Sequence, residues 1–109
     1  MNRIQNFHAH IYFDASELAA AQALASKAQD RFPISVGRFH EKPVGPHPRG
    51  SCQLTVETEQ FSDFAQWAVL NRGALTIFAH AQTGDDLADH TAHVIWFGPS
   101  ETLNTAIFH

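Results

Sequence analysis

The first strongly patterned segment of the chain alternates apolar and polar positions. Residues 7–13 read FHAHIYF, with apolar side chains at the odd positions and with His8, His10 and Tyr12 at the even positions. Because successive side chains of a β-strand point to opposite faces of a sheet, this pattern predicts a half-buried strand. The two histidines and the tyrosine then lie on one face of that strand.

A helical pattern follows this strand. Asp14 and Glu17 have the spacing of a capping box. Apolar positions then recur every three or four residues over 18–32, and Pro33 ends this predicted helix. A second amphipathic helix is predicted from residue 61 onward and ends at the Asn-Arg-Gly run at 71–73.

Four further segments have strand character, and they cover residues 34–41, 51–56, 75–80 and 93–98. The order of elements is then β-α-β-β-α-β with an extra C-terminal strand. This order predicts the ferredoxin-like sandwich, an α+β fold in which two helices cover one face of an antiparallel sheet. We expect residues 1–109 to form a single domain, since domains commonly have about 100–150 residues.

The expected topology brings distant parts of the sequence together. In the ferredoxin-like sheet, the first and fourth strands are antiparallel neighbours, so the start of the first lies beside the end of the fourth. When the apolar positions face the helices, His8 and His10 project from the open face beside Phe78 and His80. Trp96 is expected on the same face. We expect a homodimer to cover a face this apolar.

Histidine is abundant, with eight residues in the chain, and it is the commonest metal ligand in proteins. His8 and His10 on one strand lie roughly 6–7 Å apart by the strand rise. Taken alone, such a pair is typical of a solvated surface strand. His80 on the neighbouring strand and His47, in the proline-stiffened loop at 42–50, favour a metal site instead.

His90 follows Asp89, so either that carboxylate or the backbone is expected to orient its ring. The alternative is a polar turn without a functional role. The remaining histidines, His40, His93 and His109, have no converging partner in the predicted topology.

Charge and cysteine content exclude several classes of protein. Seven Lys and Arg against eleven Asp and Glu give a net charge of −4, without a basic run, so a nucleic-acid partner is not expected. The pattern predicts no signal peptide and no stretch of about 20 apolar residues that would span a membrane. The lone Cys52 excludes an intrachain disulfide and is expected in the core. We therefore expect a cytoplasmic protein.

An all-imidazole site narrows the chemistry. Neutral imidazole suits Zn(II), Fe(II), Cu and Ni rather than Mg or Ca. Zinc would indicate hydrolysis by a metal-bound hydroxide, whereas ferrous iron would indicate dioxygen chemistry. The residues by themselves leave this choice open. Arg49 and Arg72 are candidates for binding a substrate carboxylate, and the alternative for each is a surface or helix-capping role.

Several segments, in order along the chain, resemble the DOPA 4,5-dioxygenase family of small proteins. They are FHAHIYFD, VGPHPRGS, LNRGALTIFAH, and TGDDLADHT followed by IWFG. The resemblance implies extradiol-type cleavage of a catechol such as L-DOPA by O2 and non-haem Fe(II), in a ferredoxin-like dimer. The histidines at the matching positions are His8, His10, His47, His80 and His90.

With this resemblance in hand, we expect five histidines to share the chemistry. The expected metal ligands are His10, His47 and His80, and the expected proton-transfer groups are His90 and His8. The expected substrate-binding residues are Tyr12, Arg49, Arg72, Phe78 and Trp96. Zn(II) or Ni(II) can occupy the same imidazoles in purified protein.

Two alternatives stand beside this expectation: a non-catalytic ferredoxin-like dimer that binds a metal or small ligand, and a zinc-dependent hydrolase. The position of His47 is a separate question, because its loop leads into the end of the sheet remote from His80. Either the loop folds back over the sheet, or His47 completes the site of a partner subunit.

Overall fold

The fold is described from a computed structural model, which covers residues 3–109. One antiparallel sheet has the strand order β2-β3-β1-β4-β5. Its strands are β1 (Asn6–Phe13), β2 (Ser35–His40), β3 (Gly50–Val56), β4 (Thr76–Gln82) and β5 (Val94–Phe97). The helices are α1 (Leu18–Arg31), α2 (Thr58–Asn71) and the four-residue α3 (Asp86–Asp89). The predicted ferredoxin-like α+β fold is confirmed, with the extra strand β5 beside β4.

The capping box predicted at the start of the first helix is present. The backbone N–H of Asp14 donates to Oε1 of Glu17 (2.9 Å), and the backbone N–H of Glu17 donates to the carbonyl of Asp14 (2.8 Å). This box opens a short 3-10 turn from which α1 continues at Leu18. The second helix begins at Thr58, earlier than predicted, because its polar first turn carries no apolar periodicity.

The helices α1 and α2 pack on one face of the sheet, and the alternation of β1 places its odd positions against them. The buried side chains of this core include Ala9, Ile11, Phe13, Ala21, Leu24, Ala28, Cys52, Leu54, Phe64, Ala68 and Ile77. Cys52 therefore occupies the predicted core position. Its thiol is fully buried, and burial raises its pKa to about 11.

The other face of the sheet collects the even positions of β1. His8 pairs with His80 of β4, and His10 pairs with Phe78. Phe78 pairs in turn with Trp96 of β5. The predicted placement of these side chains on one face is confirmed, because the register puts them directly opposite one another.

The chain itself covers much of this second face. The loop between β2 and β3 (residues 41–49, the proline-rich loop) folds back over it and meets the C-terminal segment (residues 98–109), where the N–H of Asn104 donates to the carbonyl of Pro46 (2.9 Å). Tyr12 and Phe78 are fully buried as a result. The exposure that motivated the expected homodimer is therefore largely removed within one chain.

Within residues 3–109, no helix is long and apolar enough to cross a membrane.

Candidate metal centre

Three histidines from two neighbouring strands converge on the second face of the sheet. One ring nitrogen from each of His8, His10 and His80 lies within 4.8 Å of the other two. The Nε2 atoms of His10 and His80 are 3.1 Å apart. Two imidazole nitrogens that bind one ion at about 2.1 Å would be separated by roughly 3.0–3.4 Å. The distance between these two nitrogens therefore fits two ligands of a single ion. Without an ion, it fits an N–H···N hydrogen bond between the two rings.

The backbone orients one of these rings for metal binding. Nδ1 of His80 lies 3.1 Å from the carbonyl of Ala81, which can only accept, so Nδ1 carries the proton. The lone pair of the neutral ring is then on Nε2, the atom that faces His10. Metal-binding histidines commonly donate their other N–H to a backbone carbonyl in this way.

The environment keeps the cluster neutral. Burial lowers the pKa of His80 to about 4. Burial also lowers the pKa of His10 well below its usual value, with neighbouring imidazoles adding to the effect, and burial lowers the pKa of His8. Neutral rings offer the lone pairs that a metal needs. The group contains no carboxylate, so it fits Fe(II), Zn(II), Cu or Ni better than Mg or Ca.

His47 reaches the same site from its own chain. The proline-rich loop folds back over the sheet, so that the rings of His47 and His10 are 4.1 Å apart between centroids. Tyr12 Oη lies 2.8 Å from Nδ1 of His47. Burial and the nearby charge of Glu101 raise the pKa of the Tyr12 phenol, so the hydroxyl stays protonated, and we assign it as the donor to Nδ1. The proton of the neutral His47 ring is then on Nε2.

His90 completes the ring of imidazoles at the end of α3. Its Nδ1 donates to the backbone carbonyl of Asp86 (2.7 Å), so its Nε2 carries the lone pair. The centroid of the His90 ring lies 4.1 Å from that of His80 and 4.5 Å from that of Phe108, on which the His90 ring stacks. Of the two predicted orienting groups, the backbone is the one used, because the Asp89 carboxylate instead accepts from Thr83 and from His93.

The structure brings all five predicted histidines together but groups them differently from the expected roles. His8, rather than His47, clusters with His10 and His80. His8 lies on the same strand face as His10 and directly opposite His80, whereas Nδ1 of His47 is engaged by Tyr12. Sequence spacing alone does not reveal which side-chain partner a loop histidine takes.

The predicted aromatic residues lie beside the histidines. Phe78 has its ring 5.9 Å from that of His10 and 4.6 Å from that of Trp96. Tyr12 and Trp96 meet edge to face at 6.1 Å. Because Tyr12 and Phe78 are fully buried, they form the apolar support under the site.

The two arginines predicted to bind substrate both have hydrogen-bond partners within the chain. The Arg49 guanidinium forms a bidentate ion pair with the Glu101 carboxylate (3.0 and 2.8 Å) and donates a further hydrogen bond to Asp14 (3.2 Å). Its guanidinium thus ties the C-terminal segment to the start of α1. Arg72 donates to the carbonyl of Leu75 (2.9 Å), at the end of β4 remote from His80. The Arg49 guanidinium also lies 5.9 Å from the ring centroid of Tyr12, so it borders the site, and substrate binding by the two arginines stays a prediction.

The fold and the histidine cluster together define an α+β protein whose sheet face presents a three-imidazole site suited to a transition metal. The chain belongs to the Dopa 4,5-dioxygenase family, whose profile matches residues 7–107. The resemblance seen in the sequence motifs is therefore confirmed.

Comparison with individual proteins gives the same family. The chain is 35% identical over 114 residues to the DOPA 4,5-dioxygenase of Amanita muscaria, which covers 96% of this chain and 50% of that protein. It is 33% identical to an uncharacterized 21.2 kDa protein of Botryotinia fuckeliana, over 93% of this chain and 62% of the relative. The chain thus spans about half the length of the first relative and under two thirds of the second.

A solved structure shares the fold. The crystal structure of a candidate dioxygenase from Nostoc punctiforme superimposes with a TM-score of 0.91 and 39% sequence identity. The match covers 94% of this chain and 89% of that one.

Proposed function

We propose that the chain is an iron-dependent oxidoreductase that cleaves the ring of a catechol, such as L-DOPA, with O2 in the extradiol manner. Family membership and the name of the Amanita relative support dioxygenase chemistry. Metal dependence is supported by the cluster of three neutral imidazoles, each of which places one ring nitrogen within 4.8 Å of the other two. Two further imidazoles lie beside it, and acid–base steps need such groups.

His8, His10 and His80 would hold the ion. Bound Fe(II) would supply a centre at which the catechol oxygens and O2 exchange electrons, which side chains alone cannot do. The protein keeps the three rings neutral and orients their ligand nitrogens toward the ion. The hydrogen bond from His80 to Ala81 and the burial of His10 serve that purpose.

His90 is the proposed general base. Its Nδ1–H is held by the Asp86 carbonyl, so Nε2 has a free lone pair and takes the proton of a catechol hydroxyl. His47 is the proposed hydrogen donor to a substrate oxygen, because Tyr12 occupies Nδ1 and leaves the proton on Nε2. In this proposal His47 and His8 exchange the roles that the sequence had predicted for them.

The aromatic side chains would position the substrate ring and exclude water. Trp96 is half-buried and lies against Phe78, so its ring is the one of the three predicted aromatics that a bound ligand can reach. Exclusion of water lowers the local dielectric constant, which strengthens the electrostatic interaction of each imidazole with the substrate.

The test is oxygen uptake by the reconstituted protein. The metal-free chain is loaded with Fe(II) under nitrogen and mixed with oxygen and a panel of catechols that includes L-DOPA. We expect catechol-dependent O2 uptake and the yellow absorbance of a ring-opened product. His8→Ala should reduce uptake to the rate of free Fe(II), because one of the three ligands is lost. The matched control is His109→Ala, which removes an exposed imidazole outside the site.

The outcomes separate the alternatives. Tight metal binding without uptake for any catechol would contradict the dioxygenase proposal and favour a metal-binding module. Ester hydrolysis by the zinc-loaded chain, without uptake by the iron-loaded chain, would favour a hydrolase. Circular dichroism of His8→Ala checks that lost uptake is not lost folding, since His8 is only half-buried.

A further inference from the structure

A pocket of about 270 Å³ opens beside the histidine cluster. Side chains from β1, β2, β3 and the proline-rich loop line it, among them His10, Arg38, His40 and His47. No carboxylate contributes to this lining, although the chain as a whole carries a net charge of −4. Among the residues described, Arg38 is therefore the one lining residue with a permanent charge, and no carboxylate opposes an anionic group there.

A β-bulge puts Arg38 into this pocket. Val36 pairs with Leu54 and Phe39 pairs with Cys52, so Gly37 and Arg38 both lie opposite the single residue between those partners on β3. Val36 and Phe39 both pack on the helix side. In a regular strand, side chains three positions apart point to opposite faces, so the bulge must reverse the alternation. It thereby turns Arg38 to the face of the histidines.

Arg38 is exposed and has no ion pair with a carboxylate of residues 3–109. Arg49 differs in this respect, because three carboxylates neutralise it. The neighbour Gly37 also lines the pocket, and a Cβ there would lie 3.2 Å from the Gln53 carbonyl. A larger residue at position 37 would crowd Gln53, and the bulge leaves the neighbouring guanidinium of Arg38 without an ion-pair partner in the described part of the chain.

The pocket borders the proposed metal centre and shares His10 with it. Gln53 lines it, and the Nε2 atom of this side chain lies 3.5 Å from Nε2 of His8. His10 belongs both to the pocket lining and to the three-histidine cluster. A ligand that fills the pocket therefore has one end at the histidines and the other at Arg38.

We propose that Arg38 binds the carboxylate of the substrate side chain, so that the site selects catechols that carry a carboxylate over catechols that do not. The proposal rests on the proposed function, because it places the dihydroxyphenyl end of the substrate against the histidine cluster. A guanidinium suits this task, since its fork of N–H groups matches the two oxygens of a carboxylate. Arg38 is then a specificity residue, and Arg49 is a structural one.

The test measures binding without turnover, with two ligands that differ only in the carboxylate. These are 3-(3,4-dihydroxyphenyl)propanoate and 4-ethylcatechol, titrated under nitrogen into the Fe(II)-loaded protein. We expect the propanoate to bind about 10- to 100-fold more tightly, as for a charge-assisted hydrogen-bonded pair. Arg38→Gln should bring this ratio close to one and leave the affinity for 4-ethylcatechol unchanged. Arg38→Lys should retain part of the ratio.

The matched control is Lys27→Gln, which removes the same charge from the exposed surface of α1. It should keep the wild-type ratio. Equal ratios in the wild type and in Arg38→Gln would overturn the proposal, and so would an equal loss of affinity for both ligands. Because no oxygen is present, the ratio is measured whether or not the protein cleaves catechols. Failure of the dioxygenase proposal is therefore seen separately, in the oxygen-uptake experiment.

Discussion

Three histidines of the site differ in the hydrogen-bond partner of their Nδ1 atom. His80 and His90 donate Nδ1–H to backbone carbonyls, whereas His47 accepts at Nδ1 from the Tyr12 hydroxyl. The same residue type therefore presents a lone pair at two positions and an N–H at the third. In the proposed function, this difference assigns metal binding, proton acceptance and hydrogen-bond donation to different histidines of one site.

Replacement of Tyr12 by phenylalanine tests the hydrogen bond that fixes His47. Tyr12→Phe leaves Nδ1 of a buried histidine without its 2.8 Å partner. We expect a loss of about 1–2 kcal/mol in the free energy of unfolding, or a melting temperature lower by several degrees. Thermal unfolding of the metal-free protein measures it.

A double-mutant cycle supplies the control for this prediction. In a His47→Ala background, Tyr12→Phe should cost much less, because the acceptor is already gone. Equal costs in the two backgrounds would show that the hydroxyl does not act through His47.

At the scale of the elements, regular patterns predicted most of the architecture. The strict alternation in β1 gave both the strand and the face on which His8 and His10 lie. The capping box of Asp14 and Glu17 marked the approach to α1, and Pro33 marked its end. These signals are local, so a single sequence is enough to detect them.

The features that the sequence left open or did not predict depend on contacts between distant segments. For His47, the sequence left a loop folded back over the sheet and a partner subunit as alternatives. The proline-rich loop reaches His10 because Asn104 and Glu101, far along the chain, hold it against the sheet. The bulge in β2 breaks the alternation on which face assignments rely, so Arg38 was not recognised as facing the site. The apolar spacing of Val36 and Phe39 was the signal that could have indicated it.

For the whole molecule, the buried imidazoles make stability depend on pH. Burial lowers the folded-state pKa of His47 and of His80 to about 4, below the usual value of 6.5. Below pH 6.5 the unfolded chain therefore binds protons that the folded chain excludes, and stability falls as the pH decreases toward 4. Above pH 6.5 both states are neutral at these positions and the effect vanishes.

Urea unfolding of the metal-free protein at several pH values measures this dependence. We expect the free energy of unfolding to fall by roughly 2 kcal/mol for each of these two histidines between pH 7 and pH 5. The His109→Ala variant, altered at an exposed position, should show the same decrease. A flat profile over this range would contradict the neutral, buried state of the cluster.

The expected homodimer and the expected cytoplasmic location stay predictions. The apolar side chains Ile4 and Ile95 are 47% and 41% exposed, which is the kind of surface that a second copy could cover. The buried thiol of Cys52 is compatible with a reducing compartment but does not require one.

In the proposed function, His8, His10 and His80 hold the metal ion of the reaction. The most direct measurement is an anomalous-scattering map of a crystal loaded with Fe(II) under nitrogen and recorded at the iron absorption edge. We predict one strong peak bound by a ring nitrogen of each of these three histidines, with His47 and His90 beside it but not ligating. A peak bound by His47 in place of His8, or a peak away from this face of the sheet, would contradict the claim.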